Sequence, residues 1–255
     1  MRESIATLRD EASRDFAGII PAVSIRALAL ETSGRIGSVA AVVDGTAVAE
    51  EQFAHGLQHA AQIVPIIDRL CRAQGWEPGD VNELYVSAGP GSFTGLRIAV
   101  TLAKTMALAT GVKLVAVPSV RVLAENAPPD AQHVVIVLDA KRDQIFTARF
   151  ERVAGQWVER EPARLDALAA MVQRAPRPVH LLGEGLPYHA KFIPRDDSSI
   201  VIVPPESARA RAGAVAQIGY VMARAGEFAD PRRLTPIYIR RPEAEETFVA
   251  RASSP

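Results

Sequence analysis

Cysteine is nearly absent from this 255-residue chain, which has Cys71 alone. One cysteine excludes an intrachain disulfide framework and any zinc site built from several cysteines. No run of about 18 apolar residues occurs, so the sequence predicts no membrane-spanning helix. Residues 1–24 contain four acidic residues and lack the apolar core of a secretory signal. We therefore expect a cytoplasmic protein.

Net charge is also absent, because 29 basic residues balance 29 acidic ones. Such a balance does not favour a protein that binds nucleic acid by itself, because that binding depends on basic residues that neutralise the phosphates. The protein could still bind RNA through a partner. With 48% hydrophobic residues, the chain can bury the core of one large or two modest domains.

Residues 86–111, VSAGPGSFTGLRIAVTLAKTMALATG, place glycine and proline between an apolar run and a long helical pattern. A phosphate-binding loop would lie at such a place, but its usual residues are missing. A P-loop needs Gly-x4-Gly-Lys-Ser/Thr, whereas Gly91 and Gly95 are closer together and no lysine follows. A dinucleotide fingerprint fails because Thr94 stands where its third glycine belongs. The sequence thus leaves the purpose of this loop open.

The order of predicted elements occurs twice along the chain. It reads βββαβαβα from Arg26, with a hairpin at Asp44-Gly45, and restarts at His133 with a second hairpin at Ala154-Gly155. Five helices are predicted. The second is a long helix that Thr94 caps and Gly111 ends, and the third is a short helix that starts at residue 119. The other three cover residues 56–73, 163–175 and 207–225. We expect an N-terminal extension (1–24), two lobes (25–127 and 128–242) and a tail (243–255).

Two acidic residues stand at equivalent places in the two halves. Glu31 and Asp139 each end a first strand, where ligands of open α/β sheets usually bind. A carboxylate there could orient a metal-bound water or a phosphate. The alternative is that each carboxylate only caps the turn that follows its strand. Their repetition favours descent from a nucleotide-binding protein without showing present activity.

His55 and His59 have the spacing of two metal ligands on one helix face. No nearby carboxylate completes such a site, and Gly56 stands where a His-Glu-x-x-His motif has glutamate. We therefore interpret the pair as an exposed helix start and expect no metal site.

The long helix after residue 92 is apolar on more than one face. Small residues recur every four positions, at Gly95, Ala99, Ala103 and Ala107, and would let another helix approach closely. The preceding helix around Pro65 is apolar on more than one face as well. A partner surface formed by both helices is one interpretation. Burial of both helices inside this subunit is the other.

Six segments of the chain resemble the TsaB (YeaZ) family of bacterial threonylcarbamoyladenosine proteins, within the actin-like ATPase (ASKHA) superfamily. They are LALETSGRIGSVAAV, HAAQIVPIIDRL, SAGPGSFTGLRIAVTLAKTMAL, AVPSV, LDAKRDQIFTARF and PIYIRR, and they span residues 26–241. The GPGSFTGLR block is the most specific. The resemblance implies an α/β fold with two duplicated βββαβα-type lobes.

The resemblance also implies a function. The family takes part in placing threonylcarbamoyl on N6 of adenosine 37 (t6A) in tRNAs that read codons beginning with A. Its members are non-catalytic partners of the TsaD paralogue and act with the small ATPase TsaE, so tRNA would be met only through the complex. TsaD carries a His-x-x-x-His metal motif where this chain has Ser119 and Leu123. We therefore expect a scaffold or activating subunit rather than an enzyme.

The resemblance, together with the apolar helices, predicts two sets of site residues. The partner interface would comprise His59, Ile63, Ile66, Ile67, Leu70, Phe93, Thr94, Arg97, Ala99, Thr101, Ala103 and Lys104. A weak nucleotide site would comprise Glu31, Gly89, Asp139 and Gly183. No catalytic residue, metal or obligatory cofactor is expected, and ATP would bind weakly if at all. Two alternatives are an active ATPase or M22-like peptidase, and a homodimeric regulator that uses the same helices on itself.

Overall fold

The N-terminal half of the chain forms the first of two sheets. The structure is a computed structural model that describes residues 24–54 and 59–240, with the backbone alone at positions 54, 59 and 60. The first sheet has the order β3-β2-β1-β4-β5, in which β1 pairs antiparallel with β2 and parallel with β4. Its strands are β1 (Arg26–Glu31), β2 (Ile36–Val43), β3 (Thr46–Ala54), β4 (Glu83–Gly89) and β5 (Lys113–Pro118).

The second sheet repeats this arrangement. Its middle strand β6 pairs antiparallel with β8 and parallel with β10, β9 pairs with β8, and β11 pairs with β10. The short strand β7 also pairs with β8. The strands are β6 (His133–Ile136), β7 (Leu138–Asp139), β8 (Ile145–Val153), β9 (Gln156–Asp166), β10 (Val179–Leu182) and β11 (Ile200–Ile202). The predicted duplication is therefore visible in strand order and direction.

Equivalent hairpins support the duplication. Asp44 and Gly45 have φ values of 47° and 82°, and Ala154 and Gly155 have values of 49° and 81°. Two consecutive residues with positive φ are what a tight type I′ turn requires. Both predicted hairpins are thus confirmed.

Helices cover both faces of each sheet. Helices α1 and α2 pack on one face of the first sheet, α3 and α6 lie between the sheets, and α4 and α5 pack on the outer face of the second. Their bounds are α1 (His59–Ala73), α2 (Phe93–Thr110), α3 (Ser119–Ala124), α4 (Leu168–Arg174), α5 (Leu186–His189) and α6 (Ala212–Arg224). Short 3-10 helices cover Pro78–Asp80 and Ala190–Phe192. Within the described ranges, no helix is both long and apolar enough to cross a membrane.

One buried cluster joins the two halves. It includes Ala27 and Tyr85 from the first sheet, Phe150 from the second, and Val215 from α6. Helix α6 follows the second sheet in sequence, yet it contacts all five strands of the first sheet. The predicted division at residue 127 therefore does not describe where α6 packs, because a helix buries its apolar side wherever an apolar sheet face is available.

Three predicted boundaries differ from the structure. Ser92, not Thr94, caps α2, because the Ser92 hydroxyl accepts a hydrogen bond from the Gly95 N–H at 3.3 Å. Helix α4 starts at Leu168 rather than 163, since the preceding residues extend β9. Helix α6 starts at Ala212 rather than 207. Gly111 ends α2 as predicted, with a φ of 76°.

Candidate partner surface and interlobe cleft

The glycine-rich loop between β4 and α2 packs on the turn that follows β1. A Cβ on Gly95 would lie 2.1 Å from the Thr32 carbonyl oxygen, and one on Gly91 would lie 2.5 Å from that of Ser33. The Ser92 N–H donates to the Ser33 carbonyl at 2.7 Å, and the Thr32 hydroxyl donates to the Gly95 carbonyl at 2.9 Å. Backbone therefore fills the space beside both glycines, and the loop seats the first turn of α2.

Gly89, one of the predicted nucleotide contacts, is also closed in by protein. Its φ is 110°, and a Cβ there would lie 2.9 Å from the Ile237 carbonyl oxygen. The Gly89 N–H donates to the Ser119 hydroxyl at 3.0 Å. Because these neighbours occupy the space that a ligand would need, Gly89 is a packing position in this structure.

Glu31 is fully buried at the end of β1. Its Oε1 accepts a hydrogen bond from the Ser33 N–H at 2.5 Å, whereas Oε2 has no partner among the described residues. Burial raises the pKa of the Glu31 carboxyl, and the hydrogen bonds from Ser33 offset this only in part. Burial therefore disfavours the charged form of this side chain.

Asp139 lies in a different environment at the equivalent end of β7. Burial alone would raise its pKa, but hydrogen bonds from Lys141 and His189 outweigh it and lower the pKa of the carboxyl. The Lys141 ammonium lies 2.8 Å from Oδ2, and His189 Nε2 lies 3.1 Å from Oδ1. The sequence around His189 contains no signal that links it to Asp139, because the two residues are 50 positions apart.

The Asp139–His189 pair does not form a hydrolytic triad. Only 2% of the His189 side chain is exposed, and its Nδ1 has no hydrogen-bond partner among the described residues. A Ser-His-Asp site needs a nucleophile bonded to the second ring nitrogen. The pair is therefore a means of orienting Asp139.

A cleft of about 180 Å³ opens between the two halves. Of the four predicted nucleotide residues, Asp139 lines it and Glu31, Gly89 and Gly183 do not. A Cβ on Gly183 would lie 2.3 Å from the Val137 carbonyl oxygen, so backbone fills the space beside that residue. The lining residues are Ser33, Gly34, Arg35, Gly91, Ser92, Leu138, Asp139, Lys141, Glu184 and Tyr188.

The inner faces of α1 and α2 belong to the core of this subunit. Five residues predicted for the partner interface are at most 4% exposed in the isolated chain: Ile63, Ile66, Leu70, Ala99 and Ala103. They pack against the first sheet. Their assignment to a partner surface needs correction, because the ridge of small residues lets α2 approach its own sheet rather than another protein.

The outer faces of the same helices are exposed. Among the predicted residues, Phe93, Thr94, Arg97 and Thr101 are exposed, and Ile67 and Lys104 are half-buried. Nothing is described of the His59 side chain, and His55 lies outside the described residues. Val64 and Leu108 were not predicted, yet they are 54% and 61% exposed. We use the name α1–α2 outer face for the exposed residues Val64, Phe93, Thr94, Arg97, Thr101 and Leu108.

Residues 229–240 flank this outer face. The Arg97 guanidinium donates to the Tyr238 hydroxyl at 3.0 Å and lies over the Phe93 ring at 3.8 Å. The Lys104 ammonium donates to the Leu234 carbonyl at 3.0 Å. These contacts fix side chains at the start of α2 and farther along it. The PIYIRR segment carried part of the family resemblance, but nothing in its sequence indicated that it would contact α2.

The positions that correspond to the paralogue's metal motif point into the protein. Ser119 is fully buried and its hydroxyl lies 2.7 Å from that of Ser87, while Leu123 is 3% exposed in the core. In the part of the chain that the structure describes, no group of three or more potential metal ligands occurs.

Two α/β lobes of the same strand order, with a cleft between them, define the actin-like ATPase superfamily fold. A solved structure of YeaZ from Pseudomonas aeruginosa has this fold, with a TM-score of 0.71, 24% identity, and coverage of 84% of this chain and 99% of that one. The family profile "TsaD: tRNA N6-adenosine threonylcarbamoyltransferase" matches residues 54–195.

Proteins of similar sequence indicate the family to which this chain belongs. The chain is 29% identical over 228 residues to the tRNA threonylcarbamoyladenosine biosynthesis protein TsaB of Bacillus subtilis, covering 87% of this chain and 97% of that protein. It is 30% identical over 130 residues to TsaB of Escherichia coli, covering 50% of this chain and 56% of that protein. The chain belongs to the TsaB (YeaZ) family, within the larger family that the TsaD profile describes.

Proposed function

We propose that this protein is a non-catalytic subunit in t6A formation, and that it activates a TsaD paralogue by binding it. The role in t6A tRNA modification rests on family membership, since the relatives are named for threonylcarbamoyladenosine biosynthesis. Binding tRNA only through the complex agrees with the zero net charge. TsaE is the proposed third member.

The observation that carries the proposal is the α1–α2 outer face. Val64, Phe93 and Leu108 are apolar and exposed on helices whose other side builds the core. Phe93 and Leu108 lie on the same side of α2, near its two ends. Exposed apolar side chains on one side of a helix are a feature of surfaces that contact another protein. Arg97, held over Phe93 by Tyr238, adds a residue type that is enriched at such contacts. The partner proposed for this face is the TsaD paralogue.

The non-catalytic character of the subunit rests on α3. A leucine in the core and a serine bonded to Ser87 stand where the paralogue has its two metal-binding histidines. A metal-assisted transfer cannot be centred on these side chains. ATP binding is proposed to be weak, because backbone fills the space beside Gly89, Gly91 and Gly183.

Calorimetric titration of the TsaD paralogue from the same organism tests the proposal. Val64→Asp places a charge on the outer face, and we expect at least a tenfold higher Kd, because an unpaired carboxylate is costly to desolvate. Val221→Asp is the matched control, since Val221 is 64% exposed on α6, away from this face.

Equal Kd values for the two variants would contradict the proposed surface. Sedimentation of the chain alone tests the homodimeric alternative. A dimer that Val64→Asp dissociates, in a protein that does not bind the paralogue, would favour that alternative.

A further inference from the structure

Glu184 bridges the two halves of the protein at the interlobe cleft. Its two carboxylate oxygens accept hydrogen bonds from the Arg35 backbone N–H at 3.0 and 3.2 Å. Arg35 lies in the turn after β1, whereas Glu184 follows β10 of the second sheet. An anionic side chain of one lobe therefore occupies a backbone N–H donor of the other.

The surrounding backbone fixes the position of Glu184. It stands between Gly183 and Gly185, where added Cβ atoms would lie 2.3 Å from the Val137 carbonyl oxygen and 2.6 Å from the Asp139 nitrogen. The Gly185 N–H also donates to the Val137 carbonyl at 3.0 Å. Because both glycines lie against the backbone of residues 137–139, the main chain at Glu184 is fixed, and the hydrogen bonds from the Arg35 N–H set the direction of its carboxylate.

The charges that line the cleft cancel. Arg35 and Lys141 are cationic, and Asp139 and Glu184 are anionic. Both cations lie over the Tyr188 ring, with the Arg35 guanidinium 5.3 Å and the Lys141 ammonium 5.8 Å from its centroid. Without the Glu184 side chain, the lining would carry one net positive charge and a free N–H donor, a combination suited to a phosphate group.

We propose that Glu184 is a built-in anion that keeps phosphate-bearing ligands out of the cleft and holds the two lobes together in their absence. Its carboxylate takes the N–H donor that a ligand phosphate would use, and its charge repels any second anion. The cleft then binds phosphate groups only weakly, and the Arg35–Glu184 contact between the two lobes is kept. This inference concerns the cleft alone and does not depend on the partner surface.

Glu184→Ala and Glu184→Gln test the inference, with ATP and sodium tripolyphosphate as probes in calorimetric titrations. Glu159→Ala is the control, because Glu159 is an exposed acid on β9 and its loss changes the net charge equally. We expect Glu184→Ala, which removes both the charge and the hydrogen-bond acceptor, to bind tripolyphosphate at least tenfold more tightly than the wild type and the control. Glu184→Gln removes only the charge, because its amide oxygen can still accept from the Arg35 N–H, so its gain should be smaller but more than twofold. A similar gain for ATP would mean that the phosphates supply the binding, and a larger gain would mean that the nucleoside adds to it.

Kd values for tripolyphosphate within twofold of the wild type in both Glu184 variants would overturn the inference. An equal gain in Glu159→Ala would overturn it as well, since net charge alone would then explain the effect. Hydrogen exchange gives a second readout. The Arg35 amide should exchange at least tenfold faster in Glu184→Ala than in the wild type, and unchanged protection would contradict the bridging contact. Paralogue affinity should be unaffected in all variants.

Discussion

Gly95→Ala should destabilise the protein through one contact at the start of α2. The added methyl carbon would lie 2.1 Å from the Thr32 carbonyl oxygen, which is backbone and cannot swing aside. Relieving this overlap must move α2 away from the turn after β1. Overpacking of this kind costs about 1–3 kcal/mol. Weakening the hydrogen bond from the Thr32 hydroxyl to the Gly95 carbonyl adds about 1 kcal/mol. The expected loss is therefore about 2–4 kcal/mol.

Urea unfolding at 25 °C measures this loss against a matched glycine. Gly79 has no atom within 4 Å of its added Cβ, and its φ lies outside the left-handed region. Gly79→Ala should therefore be neutral or slightly stabilising, because alanine restricts the unfolded chain. A free energy of unfolding for Gly95→Ala within about 0.5 kcal/mol of that for Gly79→Ala would refute the close-contact reasoning.

Three further predictions concern the core, the buried acid and the cleft. Ala103→Leu should lower the free energy of unfolding by about 1–3 kcal/mol, because Ala103 is fully buried, whereas Thr101→Leu on the exposed side of α2 should leave it unchanged. Because the folded-state pKa of Glu31 is raised, the ionised side chain should cost stability as the pH rises above the ordinary carboxyl range. Glu31→Gln cannot ionise and should remove this part of the pH dependence, as unfolding curves of the two proteins between about pH 5 and pH 8 can show. Calorimetry of the wild type should find no low-micromolar ATP binding, and such binding would contradict both the weak nucleotide site and the role of Glu184.

The sequence predicts the duplicated fold well, because its signals are local. Asp44-Gly45 and Ala154-Gly155 mark equivalent hairpins, and Gly111 marks the end of α2. Apolar runs between such turns define the strands, and two matching series of elements predict two matching lobes. Glu31 ends β1 as predicted, whereas Asp139 ends the short strand β7, because the predicted first strand of the second half stops at Ile136.

Contacts between distant residues could not be predicted in the same way. An apolar pattern shows that a helix side is buried but not what covers it, so the sequence could not separate the inner face of α2, with Ala103, from its outer face, with Thr101. The pairs Asp139–His189 and Arg35–Glu184 join residues far apart in the chain. For the same reason, the helix α6 was predicted with the second lobe although it packs on the first sheet.

The central claim is that this chain activates a TsaD paralogue through the α1–α2 outer face without performing the transfer itself. Mass-spectrometric quantification of t6A tests it most directly, in reactions of tRNA and threonylcarbamoyl-adenylate with the chain alone, with the paralogue alone and with both. We expect t6A only when the paralogue is present, more of it when the chain is added, and loss of that increase with Val64→Asp but not with Val221→Asp. Robust t6A formation by the chain alone, or equal stimulation by the two variants, would contradict the claim.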